Sequence, residues 1–389
     1  EFLVELDDAL VIELLENESN DRIASIIEKA PTNDQSGILN ILEDEKAQSI
    51  IELLNAEEQE EIAEIMGYPD DSAGTLMNTE VFTLHESITA GEAIKTLQDQ
   101  EGAEMVFYLY ITDDDDRLVG VISLRALTTT PSSTKLKDIM IKNIHSIRPE
   151  TDQEDVARIV AQYNFLAVPV LDSDSKLLGI VTVDNVVDVI REEATEDFLR
   201  MAGAGKDREI LLKSSWENAK ARLPWLFASW IGGIVAASII GAFENMLVNI
   251  VALAAFIPVI LGMGGNIATQ SSTIIVRGMA TGRVNMGGEI KLIFKEIKVG
   301  LILGSLYGIL LGVFAKITFT NAPDNLGFVV GLSICASMIA AATVGTIIPL
   351  ILRKLDIDPA IATGPFVTTS IDILGVLFYF LIAGIFLKI

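Results

Sequence analysis

Hydrophobic positions along this 389-residue chain follow three successive spacings, and each predicts a different kind of structure. Over residues 1–66, Ile38, Leu39, Ile41 and Leu42 lead to Ile50, Ile51, Leu53 and Leu54, then to Ile62, Ile65 and Met66, with Glu, Asp, Gln and Lys between them. That is the spacing of short amphipathic helices. Such helices are too short to stand alone, so they are predicted to stack as a small superhelix. Tyr68-Pro69 ends the pattern. From 75 to 195 the chain repeats itself at an offset of 59. Arg117-Leu-Val-Gly-Val-Ile-Ser-Leu-Arg-Ala-Leu127 aligns with Lys176-Leu-Leu-Gly-Ile-Val-Thr-Val-Asp-Asn-Val186. Each copy predicts an apolar strand (Phe107 to Ile111, Ala167 to Leu171), an acidic turn (Asp113–Asp116, Asp172–Asp174), a strand through Gly120 or Gly179, and a helix. A helix precedes each unit, as in Glu154 to Tyr163. Beyond residue 222 come five apolar spans, 223–243, 248–276, 299–319, 327–352 and 359–387. Each has about the 20 residues that cross a hydrocarbon core.

Charge sharpens this division. Residues 1–200 hold 44 of the 54 carboxylates and 14 of the 28 basic side chains, a net of −30, whereas residues 201–389 carry a net of +4. The acidic half repels phosphate, which excludes nucleic acid as a partner, and it repels itself unless cations gather around it. Cys335 stands alone, so no disulfide forms within one chain, and His85 and His145 are too few and too scattered for a histidine metal site. The chain opens on Glu1 rather than Met, so an N-terminal helical domain cut short is expected. Residues 196–222 read as a helical connector, with Lys213, Lys220 and Arg222 approaching the membrane. These basic residues precede the first span. Arg277, Arg283, Lys291, Lys295 and Lys298 separate the second from the third, and Arg353 and Lys354 follow the fourth. The alternate loops, 244–247 and 320–326, have no Lys or Arg. The positive-inside rule then predicts a multi-pass cell (inner) membrane protein in the lipid bilayer, with its acidic half in the cytosol and its C-terminus outside.

Asp372 reads as the only carboxylate well inside a span. Ionisable groups at that depth are costly and mark function. Around it runs Gly364-Pro-Phe-Val-Thr-Thr-Ser-Ile-Asp-Ile-Leu-Gly375. Pro365 is expected to free a backbone carbonyl, and Thr368 and Thr369 add hydroxyls. Carbonyls, hydroxyls and a carboxylate suit a hard divalent cation. One carboxylate is a thin site, and a two-fold dimer would bring two to the axis. An ion that keeps most of its water there fits Mg²⁺, which dehydrates reluctantly. In the second span, Pro258 is followed by Gly262-Met-Gly-Gly-Asn-Ile-Ala-Thr-Gln270, so Asn266 and Gln270 offer amides at membrane depth.

The repeat resembles a pair of CBS domains, modules known as sensors of nucleotides or ions. The whole order resembles the MgtE family of Mg²⁺ channels: acidic helices, Tyr68-Pro-Asp-Asp-Ser-Ala-Gly74, the CBS pair, a connector and five spans. Gly264-Gly-Asn-x-x-x-Gln270 and Pro365-Phe-Val-x-Thr-x-x-Asp372 look like its second and fifth membrane signatures. The resemblance implies a multi-domain membrane protein: an α-helical superhelix (1–67), two α/β CBS domains (68–135 and 136–195), a connecting plug helix (196–222) and a five-helix all-α transmembrane domain (223–389). It further implies a homodimer whose pore is lined by the second and fifth spans. Asp372 is then the ion-selecting residue, with Asn266, Gln270, Gly364, Pro365 and Thr368 along the pore. A cytosolic Mg²⁺ sensor is implied at Asp152, Glu154, Asp188, Glu193, Glu196 and Asp197, with Asp70 and Asp71 beside them. Asn164 and Asn185 are neutral where some relatives are acidic. ATP at the CBS pair is an implied cofactor that no residue here decides.

Three other readings stand against the channel. A CBS-regulated secondary transporter of another divalent cation would show inverted repeats or further intramembrane charges. A membrane-anchored enzyme would need a catalytic constellation, and none is present. A passive anchor has no use for Asp372.

Overall fold

The computed structural model describes the chain except residues 1–2, 4–5, 7, 17, 100–107, 206–209, 211–212, 285–286, 356 and 388–389. Phe107, expected at the start of a strand, lies outside the described residues. The chain divides into two compact units, Glu1–Glu193 and Ala194–Ile389.

The first unit opens with five short helices: α1 (Asp8–Glu16), α2 (Asn20–Ile27), α3 (Thr32–Asn40), α4 (Asp44–Ile51) and α5 (Ala56–Ile65). Helix α2 packs on α4 and α3 on α5, the next-but-one contact of a superhelix. One core runs through them, built on Val11, Leu15, Ile23, Ile27, Leu39, Ile50 and Ile62. The following turn is shaped by Tyr68, whose ring occupies the space where a Cβ on Gly74 would stand. Tyr68 Oη donates to Glu64 Oε1 at 2.8 Å, and burial, with this acceptor beside it, pushes the phenol up to about 12.

The repeat folds as two equivalent halves. In the first, α6 (Ala73–Leu76) precedes β1 (Thr83–His85), α7 (Ala90–Asp99), β2 (Tyr108–Thr112), β3 (Leu118–Ser123) and α8 (Leu124–Thr129). The sheet order is β1-β2-β3, with β1 parallel and β3 antiparallel to β2. The second half has α9 (Leu136–Ile139), α10 (Gln153–Tyr163), β4 (Ala167–Leu171), β5 (Leu177–Thr182) and α11 (Val183–Met201). Here the counterpart of β1 is reduced to a parallel bridge between Ile147 and Val170. Strand pairing breaks register at Ile111/Thr112 and again at Val170/Leu171. The acidic turns have a structural cause. Asp113 accepts from the amides of Asp115 and Arg117, both at 2.9 Å, and Asp172 accepts likewise from Asp174 and Lys176. The amide of Arg117 leads in holding the Asp113 carboxyl below its ordinary value.

Each half is completed by the segment leading into the other. Ile141 bridges Val121 of β3, and Asn78 bridges Ile180 of β5. This crossing explains the repeated glycine. A Cβ on Gly120 would meet the Met140 side chain, and one on Gly179 would lie 2.7 Å from the Asn78 carbonyl. That carbonyl is fixed by the Ile180 amide at 2.9 Å, whereas a methionine side chain rotates away. Gly179→Ala is therefore expected to cost about 1–3 kcal/mol by overpacking, and Gly120→Ala less. Thermal unfolding of the full chain checks the order; equal losses would remove the backbone contact as the cause.

The second unit begins inside α11. The expected connector over 196–222 is not one helix. Residues 196–201 end α11, and Gly203 and Gly205 then take φ of 69° and 97°, a backbone that stops a helix. Helix α12 (Ser215–Ala242) starts from a capping box in which Ser214 and Glu217 satisfy each other's amides. A short α13 (Glu244–Asn249) leads to α14 (Ala252–Ala280), α15 (Glu289–Thr318) and α16 (Leu326–Lys354). A 3₁₀ turn over Pro359–Ala362 precedes α17 (Pro365–Leu387). Among the described residues, α12, α14, α15, α16 and α17 are long and apolar enough to cross a membrane.

The most extensive contact is between α15 and α16, where Gly304, Gly308 and Gly312 face Cys335, Gly331 and Gly327, and Gly300 faces Met338 and Ile339. A Cβ on Gly308 would sit 2.5 Å from the Gly331 carbonyl, and one on Gly312 would sit 2.6 Å from that of Gly327. Small residues let the two backbones touch, which is how helices gain packing in lipid. Helix α14 packs on α16 and α17, and α12 packs on α17.

Candidate functional site

Helix α17 starts at Pro365, which corrects one expectation. At the first helical position a missing N–H costs nothing, so Pro365 frees no carbonyl within the span. The Thr368 hydroxyl instead donates back to the Gly364 and Pro365 carbonyls, at 3.3 Å each. Val367, Ile371, Gly375, Tyr379 and Ala383 form the buried face of α17. Asp372 lies beside that face and is half-buried. It is the eighth residue of the helix, roughly 10 Å along its axis. Gly364, Thr368 and Asp372 follow at intervals of four, so they share one side of the helix. Among the described residues the Asp372 carboxylate has no hydrogen-bond or ion partner.

Helix α14 presents the second signature beside it. Its buried face runs through Phe256, Ile260, Gly264, Ile267, Ala268, Ser271 and Ile275. Gly262, Asn266 and Gln270 fall on the opposite, exposed side at four-residue spacing. The two helices meet where a Cβ on Gly264 would lie 2.9 Å from the Ile371 side chain. Asp372 follows Ile371 at this crossing, whereas the amide stripe lies on the far side of α14. Further along, the Tyr379 hydroxyl donates to the Leu253 carbonyl at 2.8 Å and locks the pair. An amide stripe facing away from its own bundle is costly against lipid and is satisfied by a partner or by a water-filled path.

The end of α11 lies against the start of α17. A Cβ on Gly364 would stand 3.5–3.6 Å from the Met201 and Arg200 carbonyls, and one on Gly203 would stand 3.4 Å from the Pro365 ring. Arg200 forms ion pairs with both Glu196 and Asp358. Burial pushes the Asp197 carboxyl up, against the opposing pull of the Arg200 and Arg277 guanidinium groups. Glu196 and Asp197 therefore stand at the entrance to α17. Arg200 and Asp358, which the sequence reading passed over, complete the cluster. Arg200 is the one basic residue in the last turn of α11, and Asp358 caps the 3₁₀ turn through the Ala360 amide at 2.8 Å.

The other sensor candidates lie in the first unit. Asp152 caps α10 through the Glu154 amide, and Gln153 donates to Glu193 at 2.6 Å. Asp71 receives the Gln153 amide on its carbonyl, which ties the 70–71 turn to the start of α10. Asp188 is exposed and pairs with Arg191 at 3.5 Å. Among the described residues, no three of these side chains converge on one point.

A second buried carboxylate lies in the first turns of the third membrane-length helix. The third span was expected at 299–319, which left Glu296 in a loop, but α15 begins at Glu289 and buries Glu296 to 6% exposure. The Ser271 hydroxyl on α14, itself 2% exposed, donates to it at 2.9 Å. The signal was present: Glu296 is in register with the glycine row 300, 304, 308 and 312, whereas Lys291, Lys295 and Lys298 fall on another side of the helix. Glu296→Ala leaves the Ser271 donor buried without an acceptor and is expected to cost about 1–3 kcal/mol, while Glu296→Gln, which keeps an acceptor, costs less. Thermal unfolding in detergent checks this; a Glu296→Ala protein as stable as its parent would show that the pair holds nothing.

Comparison with known proteins matches residues 257–382 to the MgtE divalent cation transporter family, 73–131 and 136–192 to CBS domains, and 1–71 to the MgtE intracellular N domain. The magnesium transporter MgtE of Bacillus subtilis (strain 168) is 39% identical over 335 residues, covering 86% of this chain and 74% of the relative. That of Enterococcus faecalis is 39% identical over 86% of this chain and 73% of its own length. The Thermus thermophilus protein of the same name is 37% identical, over 88% and 76%. A solved structure of the cytosolic domain of the Mg²⁺ channel MgtE in complex with ATP aligns at 34% identity and a TM-score of 0.46, covering 48% of this chain and 77% of that one. With its acidic helices, CBS pair and membrane helices in the family's order, the chain belongs to the MgtE family of divalent cation transporters.

Proposed function

We propose that two copies of this chain form a Mg²⁺ channel into the cytosol, with Asp372 selecting the ion and cytosolic Mg²⁺ closing the path. The observation that carries this reading is the half-buried Asp372 carboxylate at the α14–α17 crossing, without a partner among the described residues, together with the exposed amides of Asn266 and Gln270 on the far side of α14. A two-fold axis along that face would cover the amide stripe and bring two carboxylates to one hydrated ion. Mg²⁺ retains several waters, so Asp372, Asn266 and Gln270 would act through that shell, with Gly364, Pro365 and Thr368 toward the cytosolic side. The orientation follows from the basic residues at the starts of α12 and α15 and at the end of α16.

Closure would run through α11, whose end lies on Gly364 and Pro365. Without Mg²⁺, the carboxylates at Asp152, Glu154, Asp188, Glu193, Glu196 and Asp197, with Asp70 and Asp71, repel one another. Bound Mg²⁺ removes that repulsion, and it shifts the equilibrium only as far as it binds the closed arrangement more tightly.

The test is Mg²⁺ uptake into proteoliposomes at low and high Mg²⁺ on the face bearing the acidic half. Uptake at low Mg²⁺ that falls at least about fivefold at high Mg²⁺ is expected, the lower end of common coupling energies. Uptake indifferent to Mg²⁺ on that face would remove the sensor.

Glu296 favours a second reading. A further buried carboxylate is what a coupled carrier needs, so the alternative is a CBS-regulated secondary transporter of another divalent cation. A channel is driven only by the electrochemical gradient of the ion it conducts. Uptake that demands a proton or Na⁺ gradient would turn the assignment to the carrier.

A further inference from the structure

All three tryptophans of the chain, Trp216, Trp225 and Trp230, lie in the first sixteen residues of α12. This stretch is mostly exposed, and an open groove of about 830 Å³ runs along one side of it. The groove is polar at one end, with Ser215, Asn218 and Arg222, and apolar at the other, with Leu226, Phe227 and Trp230. From Arg222 to Trp230 is roughly 12 Å along the helix. Polar end, cation, aromatic and aliphatic side chains thus follow one another in the order in which a bilayer passes from headgroup to acyl chain.

We propose that this groove binds an anionic phospholipid of the cytosolic leaflet, its phosphate on Arg222 with Lys220 nearby and one acyl chain along Leu226, Phe227 and Trp230. The choice of leaflet rests on the orientation given above; the binding itself does not. Charge complementarity selects the headgroup, since among the described residues Arg222 reaches no carboxylate and its one hydrogen bond is to the Asn218 amide oxygen at 3.5 Å. The nearby Glu217 is engaged by Ser214, whose hydroxyl donates to it at 2.6 Å. A second copy is a poorer occupant. If α12 met its own copy across a two-fold axis along the bilayer normal, both Arg222 side chains would stand at one depth and repel.

Trp230 lines the groove and the other two tryptophans stand on the same helix, so intrinsic fluorescence of the full chain reports on lipid at α12 without labels. The protein is reconstituted in phosphatidylcholine with phosphatidylglycerol, and one lipid at a time carries brominated acyl chains that quench tryptophan. Brominated phosphatidylglycerol is expected to quench as if bound about fivefold more tightly than brominated phosphatidylcholine. In the Lys220→Gln/Arg222→Gln protein that preference falls to about one. Equal quenching by both lipids in the parent, or a preference that survives in the double variant, overturns the proposal. Weak quenching by either lipid, with disulfide capture between two copies bearing Phe227→Cys, would hand the groove to a second chain and also overturn it. The readout needs no ion flux, so a protein that fails as a Mg²⁺ channel can still show the lipid preference, and the reverse.

Discussion

Asp372→Ala is expected to lower Mg²⁺ uptake by about 100-fold or more while leaving the protein folded. At an effective dielectric of about 20, unit charges about 4 Å apart attract by about 4 kcal/mol, and a divalent ion doubles that for each carboxylate. Losing even about 3 kcal/mol of this at the narrowest point is about two powers of ten. Asp372→Asn keeps the volume and the acceptor oxygen but not the charge, so its uptake is expected nearer to the alanine protein than to the parent. Folding is spared because Asp372 has no partner to lose among the described residues. Uptake by proteoliposomes, with thermal unfolding as the control, decides the matter. Activity within about twofold of the parent would take Asp372 out of the ion path and leave the Asn266–Gln270 stripe as the remaining candidate.

Joint neutralisation of the six sensor carboxylates is expected to leave uptake open at high cytosolic Mg²⁺. Amide replacements suit the test, since Asp152 caps α10 and an asparagine there still accepts the Glu154 amide. Glu196→Gln weakens the ion pair to Arg200, and Arg200 keeps Asp358. Coupling between effector and gate of common size is worth about 5- to 150-fold in affinity. The parent should therefore close clearly where the six-fold variant does not. Single replacements are expected to shift the closing concentration by smaller steps, because several weak sites share the work. Unchanged closure in the six-fold variant would place the sensor elsewhere.

Much of this architecture was legible in the residues themselves. The period of the apolar positions predicts the short helices of residues 1–66, and the 59-residue repeat predicts two similar strand–turn–strand–helix units. Apolar runs of about 20 residues predict five membrane helices, and the departures are at their ends, as at α15, which begins ten residues before the expected 299. Asp372 stands out because a charge within an apolar run is visible without any partner. All of these depend on composition and spacing within a single segment.

What needed the tertiary structure depends on which distant segments touch. The glycine row of α15 is a spacing until Gly327 and Gly331 are found against it. Gly120 and Gly179 look like strand glycines, and only the exchange of lead-in segments between the two halves shows what they make room for. The acidic turns are only a charge pattern in the sequence until Asp113 and Asp172 are seen accepting backbone amides. Pro365 changes meaning with the position of the helix start, and Glu296 changes from loop to core when α15 is extended and Ser271 faces it. Periodicity tells which side of a helix is apolar, but the partner on the other side lies elsewhere in the chain, and in lipid that choice is made by close packing and hydrogen bonds that no single segment contains.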